Sequence, residues 1–92
     1  MHTILFYDVV DDYVERRAQF RDQHLELGRQ SQARGELLMG GALAEPVDAA
    51  ILVFRGDATD AAVAFAKADP YVKNGLVKAL RVRKWMTVIG GD

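Results

Sequence analysis

The stretch T-I-L-F-Y-D-V-V, from Thr3 to Val10, decides the fold, because a short run of β-branched and aromatic residues is typical of a strand. Within it the consecutive apolar residues Ile4 to Tyr7 would place apolar groups on both faces of a sheet. A second such run, Ile51 to Phe54, lies inside another predicted strand, Ala49 to Arg55. The two runs therefore predict a sheet that needs cover on both faces.

Two helices are predicted around these strands. Asp11 and Asp12 supply an N-cap and first-turn negative charge for a helix over 12–34, which Gly35 ends. A second, alanine-rich helix opens near 57–60 and runs through Ala68. Pro70 is expected to stop it, because the residue before a proline is steered out of the helical region.

Two more strands and a short helical turn complete the pattern. Strands are predicted over Glu36–Leu43, with a break or bulge at Gly40 and Gly41, and over Leu80–Ile89; the turn covers Tyr71–Val77. The order β-α-β-β-α-β predicts a single α+β domain over 1–92 with the ferredoxin-like arrangement, a four-stranded antiparallel sheet with two helices on one face. One face then stays uncovered, so we expect a homodimer whose sheets pack face to face.

Composition excludes several classes of function. With 12 basic and 13 acidic residues among 92, the net charge is −1, so the chain lacks the excess of positive charge that is typical of nucleic-acid-binding proteins. The absence of cysteine removes disulfides, thiolate catalysis and zinc–thiolate clusters. Two histidines, one of them at position 2, form no metal-binding spacing, so no metal or cofactor is expected. No apolar run approaches the roughly 20 residues that span a membrane, and no signal peptide is evident, so a cytoplasmic location is expected.

One face of the first predicted helix carries unexpected polar groups. His24 falls near the middle of the face that meets the sheet, and Arg21 lies in the same arc. Buried charge must be paired, and Gly28 leaves room one turn further on, which together indicate a pocket. The alternative is a core histidine bonded to a carbonyl, with the arginine reaching solvent.

Asp69 is the second candidate. At the C-terminus of the second predicted helix it would face the negative end of the helix dipole, an unfavourable position. Asp-Pro can be a simple stop signal. If the carboxylate is instead aimed at His24, the pair would form a general acid/base.

Three segments carry a resemblance that covers essentially the whole chain. The runs R-D-Q-H-L (Arg21 to Leu25), G-E-L-L-M-G-G (Gly35 to Gly41) and A-D-P-Y-V-K-N-G-L (Ala68 to Leu76) resemble the YciI-like proteins with a YCII-related domain. The resemblance implies the dimeric α+β barrel fold. Relatives with an established reaction remove HCl from chlorinated aromatics or dechlorinate a lactone. The short turn at 45–48 departs from the longer, glycine-rich insertion of many members and predicts a more open pocket.

The same resemblance implies site residues. A His–Asp catalytic pair falls on His24 and Asp69, and the family's glycine pair and aromatic residue fall on Gly40, Gly41 and Tyr71. The chain is therefore expected to be a cofactor-free lyase or isomerase, similar to a dehydrochlorinase. We expect His24 to act as the general base and Asp69 to orient it. From its position on the same helix face, Arg21 is expected to hold a carboxylate or enolate of a small, anionic substrate.

Three other functions stay open from the sequence. The first is a non-enzymatic dimer that binds a small molecule, the second a cofactor-independent monooxygenase, and the third a structural dimer with an ordinary core histidine.

Overall fold

The four strands form one antiparallel sheet. The computed structural model describes residues 1–57 and 59–91. The strands are β1 (His2–Val9), β2 (Leu37–Ala42), β3 (Ala49–Arg55) and β4 (Val77–Trp85). Their order across the sheet is β2-β3-β1-β4, with every neighbouring pair antiparallel. This order, with helices in the two β-α-β connections, confirms the ferredoxin-like α+β fold.

The first predicted helix is not continuous. It consists of α1 (Tyr13–Arg17), a 3₁₀ turn over Ala18–Phe20 and α2 (Arg21–Ala33). Phe20 has a backbone ψ of −2°, which breaks the regular helix, and its half-buried ring packs against the core. The prediction of one helix over 12–34 is therefore wrong, because packing of Phe20 overrides local propensity and α2 restarts at Arg21.

Pro70 begins a helix as well as following one. Helix α3 (Asp60–Ala68) ends where the sequence predicts, and Asp69 then has the extended conformation φ −69°, ψ 120°. Pro70 occupies the first position of α4 (Pro70–Lys73), where its fixed φ and missing N–H fit a helix start. The predicted helical turn over 71–77 is wrong at its far end, since Val77 already belongs to β4.

The outer strands also differ from prediction. Strand β4 begins at Val77 and ends at Trp85, because it pairs with β1 over the whole length of that strand. Val88 and Ile89, predicted to continue it, are more than 90% exposed. In β2 the irregular register lies between Leu37 and Met39, so the predicted bulge at the glycine pair is wrong. Both glycines stay paired, with Leu52 and Ile51 of β3 opposite.

The two faces of the sheet have different surroundings. Alternate residues of β1 and β3 on the helix side form the buried core, among them Leu5, Tyr7, Val9, Leu52 and Phe54. The residues between them on the other face are half-buried and mostly apolar: Ile4, Phe6, Ile51 and Val53. The guanidinium of Arg81 covers the Phe6 ring at 4.6 Å from its centre. Among the helices described, none is long and apolar enough to cross a membrane.

Candidate functional site

A fully buried carboxylate lies at the junction between α3 and α4. Asp69 has no exposed surface, and its two oxygens accept three hydrogen bonds. The Tyr7 hydroxyl donates to Oδ2 at 2.8 Å, while the Tyr71 N–H at 3.0 Å and His24 Nδ1 at 2.9 Å reach Oδ1. Asp69 is thus the N-cap of α4. Asp69 does follow the last residue of α3, as predicted, but its carboxylate caps the helix that follows.

The imidazole of His24 is held in one orientation. Its ring stacks on Tyr71 with centres 3.9 Å apart and planes at 9°, and Phe65 meets it edge-on at 6.2 Å. A carboxylate only accepts hydrogen bonds, so Nδ1 carries the proton shared with Asp69. Nε2 is therefore the basic nitrogen of the ring, on a side chain that keeps 18% of its surface exposed.

Tyr7 is the partner that sequence reasoning missed. It lies in the middle of β1 and points to the helix side, between the buried residues Leu5 and Val9. Burial, and then the charge and hydrogen bond of Asp69, raise the pKa of Tyr7 far above its ordinary value, so the phenol remains a donor. The sequence did contain a signal for Tyr7, a phenol within a strand of apolar residues, because a buried tyrosine hydroxyl normally has a hydrogen-bond partner.

A cavity of about 310 Å³ opens beside this cluster. The structure brings almost all the predicted site residues to its wall: Arg21, His24, Gly40, Gly41 and Tyr71. Asp69 lies behind His24 and does not line it. Gly28 also lines the cavity, where the sequence predicted room.

The glycine pair of β2 shapes one side of the cavity. A Cβ on Gly40 would lie 3.3 Å from the side chain of Leu52, tighter than ordinary contact. A Cβ on Gly41 would meet nothing within 4 Å. Gly40 therefore permits close packing of β2 on β3, whereas Gly41 exposes its backbone.

The cavity wall carries positive charge. Three arginines line it, Arg17, Arg21 and Arg29, and none of its described lining residues is Asp or Glu. The guanidinium of Arg17 also lies over the Tyr13 ring, 5.1 Å from its centre. Arg21 was predicted here and Arg29 was not, although two helical turns separate them, a spacing that places both along one side of α2. The wall thus favours an anionic ligand.

No metal centre is evident in residues 1–57 and 59–91, where no group of three His, Cys, Asp or Glu side chains could hold an ion.

Replacement of Tyr7 by Phe tests the buried cluster. We expect Tyr7→Phe to lower the free energy of unfolding by about 1–3 kcal/mol, because a buried carboxylate loses a donor. Urea denaturation measures the loss. Tyr13→Phe removes a hydroxyl elsewhere on the cavity wall and should stay within about 0.5 kcal/mol of wild type. Equal stabilities for the two variants would contradict the assignment.

Solved structures share this fold. The 5-chloro-2-hydroxyhydroquinone dehydrochlorinase of Burkholderia phenoliruptrix, in complex with 2,5-dihydroxybenzoquinone, has a TM-score of 0.74 and 19% identity, over 92% of this chain and 93% of its own. A proposed antibiotic biosynthesis monooxygenase of Deinococcus radiodurans has a TM-score of 0.60 and 10% identity, over 97% and 98%. A protein of Agrobacterium tumefaciens has a TM-score of 0.56 and 14% identity, over 89% of this chain and 88% of its own. Identities this low show the fold alone.

Sequence comparison adds the family. Among proteins of curated function there is no significant match. The family model of the YCII-related domain matches residues 1–86, nearly the whole chain, and this chain therefore belongs to the YCII-related domain family.

Proposed function

We propose that the protein is a cofactor-independent enzyme of the lyase or isomerase type that moves a proton on a small anionic ring compound. The observation that carries this proposal is the 2.9 Å contact between His24 Nδ1 and the buried Asp69 carboxylate, at the wall of a cavity. An imidazole held at Nδ1 by a carboxylate presents Nε2 as a general base. Proton transfer is the chemistry that this arrangement supports best.

In the proposed step, Nε2 of His24 removes a proton from the substrate. Asp69 remains an anion and balances the positive charge that the ring acquires. The Tyr7 hydroxyl and the Tyr71 N–H keep the carboxylate from turning away from His24. The imidazolium then returns the proton to another position of the same molecule in an isomerisation, or to water in an elimination.

An elimination of HCl balances with these groups alone. On a chlorinated hydroxyhydroquinone, Nε2 takes the proton of one ring hydroxyl and delivers it to the carbon that bears chlorine, which leaves a ketone in the ring. Nε2 then takes the proton of a second hydroxyl, the O–H electron pair forms a C=O bond, and the adjacent ring double bond shifts to the carbon that bears chlorine. Chloride leaves with the electron pair of the C–Cl bond, so no oxidant or reductant is consumed. The dehydrochlorinase with the same fold supports this class of reaction, and its bound dihydroxybenzoquinone supports a hydroxylated ring as ligand.

The charge of the cavity supports an anionic substrate. A guanidinium binds planar anions through paired N–H groups, so Arg21 is proposed to hold a carboxylate or enolate. Gly40, Gly41 and Tyr71 are proposed to complete the binding wall.

Substitution of His24 tests catalysis. We expect wild-type protein to release chloride from chlorinated hydroxyhydroquinones under anaerobic conditions, and His24→Gln to lose about 100- to 10,000-fold of kcat, the usual contribution of a general base. Chloride is measured by ion chromatography. His2→Gln alters the other histidine, which is bonded to Thr87 outside the cavity, and should keep the wild-type rate.

The same proteins distinguish catalysis from binding. If wild type binds 2,5-dihydroxybenzoquinone but eliminates chloride no faster than His24→Gln, catalysis is contradicted. The protein is then a small-molecule-binding module, the alternative that the sequence left open.

We also propose that a second copy of the chain covers the open face of the sheet. The apolar side chains at the centre of that face, Ile4, Phe6, Ile51 and Val53, are only half-buried within one chain. Packing two such faces together would remove this apolar surface from water. The resulting dimer would leave the cavity, which opens on the helix side, accessible to ligand.

Light scattering after size exclusion tests the dimer. We expect wild type at twice the chain mass of 10.2 kDa and Ile51→Lys at the mass of one chain, because a buried lysine charge opposes association. Val63→Lys adds the same charge on the exposed side of α3 and should remain dimeric. A monomeric wild type, or a dimeric Ile51→Lys, would contradict the proposal.

A further inference from the structure

The hydroxyl of Tyr71 is a buried polar group that lacks a well-formed hydrogen bond. Tyr71 is 1% exposed, and its hydroxyl oxygen has no hydrogen-bond partner in the described parts of the chain. By contrast, both oxygens of neighbouring Asp69 are paired. A buried hydroxyl left without a partner destabilises a fold, so its retention indicates a role outside folding.

The rest of Tyr71 already has assigned contacts. Its backbone N–H donates to Asp69, and the face of its ring stacks on His24. A phenylalanine would make both contacts equally well. The hydroxyl is thus the one part of this side chain that the proton-transfer cluster does not use.

The groups near the hydroxyl all belong to the cavity. Tyr71 lines the cavity, and Tyr13, which meets its ring edge-on at 5.6 Å, lines it too. Burial and the neighbouring Tyr13 raise the pKa of Tyr71, whereas the positive charges of Arg21 and Arg17 and a side-chain interaction of Arg21 with the hydroxyl lower it, so both guanidiniums lie near the phenol. The phenol stays protonated, which makes it a hydrogen-bond donor in a positively charged setting.

We propose that the Tyr71 hydroxyl and the Arg21 guanidinium form one subsite, which binds an anionic oxygen of the ligand: a phenolate, enolate or carboxylate. The inference rests on the proposed function, which requires an anionic ring compound in this cavity. Because the Tyr71 ring lies against the imidazole, the subsite fixes the anionic oxygen close to the nitrogen that moves the proton. It selects rings that carry an oxyanion over neutral rings of the same size.

Tyr71→Phe tests the subsite, because it removes the hydroxyl and keeps the ring and the backbone. The probes are 2,5-dihydroxybenzoquinone, an anion at neutral pH, and hydroquinone, which is neutral, both titrated by calorimetry under anaerobic conditions. We expect the affinity for the anionic probe to fall about 10- to 100-fold, the effect of one hydrogen bond to a charged group. The loss of affinity for hydroquinone should be smaller.

Stability of the ligand-free protein gives an independent readout. We expect Tyr71→Phe to raise Tm by a few degrees, since it removes an unpaired buried hydroxyl. The matched control is Tyr13→Phe, whose hydroxyl is not among the buried, unpaired atoms. Tyr13→Phe should not raise Tm, and it should lower the affinity for the anionic probe less than Tyr71→Phe does.

The outcomes separate this inference from the proposed function. Wild-type binding that Tyr71→Phe leaves unchanged overturns the subsite and leaves proton transfer by His24 standing. A lowered Tm for Tyr71→Phe also overturns it, because the hydroxyl must then have a partner in the folded protein. If wild type binds neither probe, that result contradicts both the subsite and the proposal that the substrate is an anion.

Discussion

The buried carboxylate of Asp69 is the constraint on which the site depends. A carboxylate without any exposed surface is tolerated only when donors replace the water it has lost, and here they come from three separate elements. Tyr7 is contributed by β1, His24 by α2 and the Tyr71 N–H by α4. Each donor therefore fixes one part of the fold around the same two oxygens. The contacts that stabilise the fold here are therefore the same contacts that position the imidazole.

The same interaction explains the break between α3 and α4. The extended backbone of Asp69 ends one helix, and its side chain caps the next one. Pro70 lets the second helix begin immediately, which brings the Tyr71 ring against His24. A sequence feature that is typical of a helix stop thus places Tyr71 and His24 together at the wall of the cavity.

Charge is distributed unevenly in the molecule. The net charge of the chain is −1, yet three arginines and no described acidic residue line the cavity. The overall charge led us to expect no nucleic-acid partner, but it did not reveal this local positive field. The field, and not the net charge, determines which small molecules the cavity favours.

The sequence predicted the features that follow from local patterns. Runs of β-branched and aromatic residues indicated the strands and their order. The helical wheel pointed to His24, and the end of the second helix, with the resemblance, pointed to Asp69. What it missed depends on tertiary contacts. Phe20 interrupts the first helix to reach the core, β4 shifts to match β1, and Tyr7 meets Asp69 from 62 residues away. None of these contacts leaves a periodic signal in the sequence.

The tautomer of His24 is the most direct measure of the central claim, that Asp69 holds the imidazole so that Nε2 is the base. Long-range ¹⁵N–¹H NMR on ring-labelled protein reports which nitrogen carries the proton, and only two histidines need assignment. For the neutral ring of His24, the account predicts the proton on Nδ1 in wild type and a shift towards Nε2 in Asp69→Asn, because the amide can present a donor to Nδ1. A wild-type ring protonated on Nε2, or one unchanged by Asp69→Asn, would contradict it.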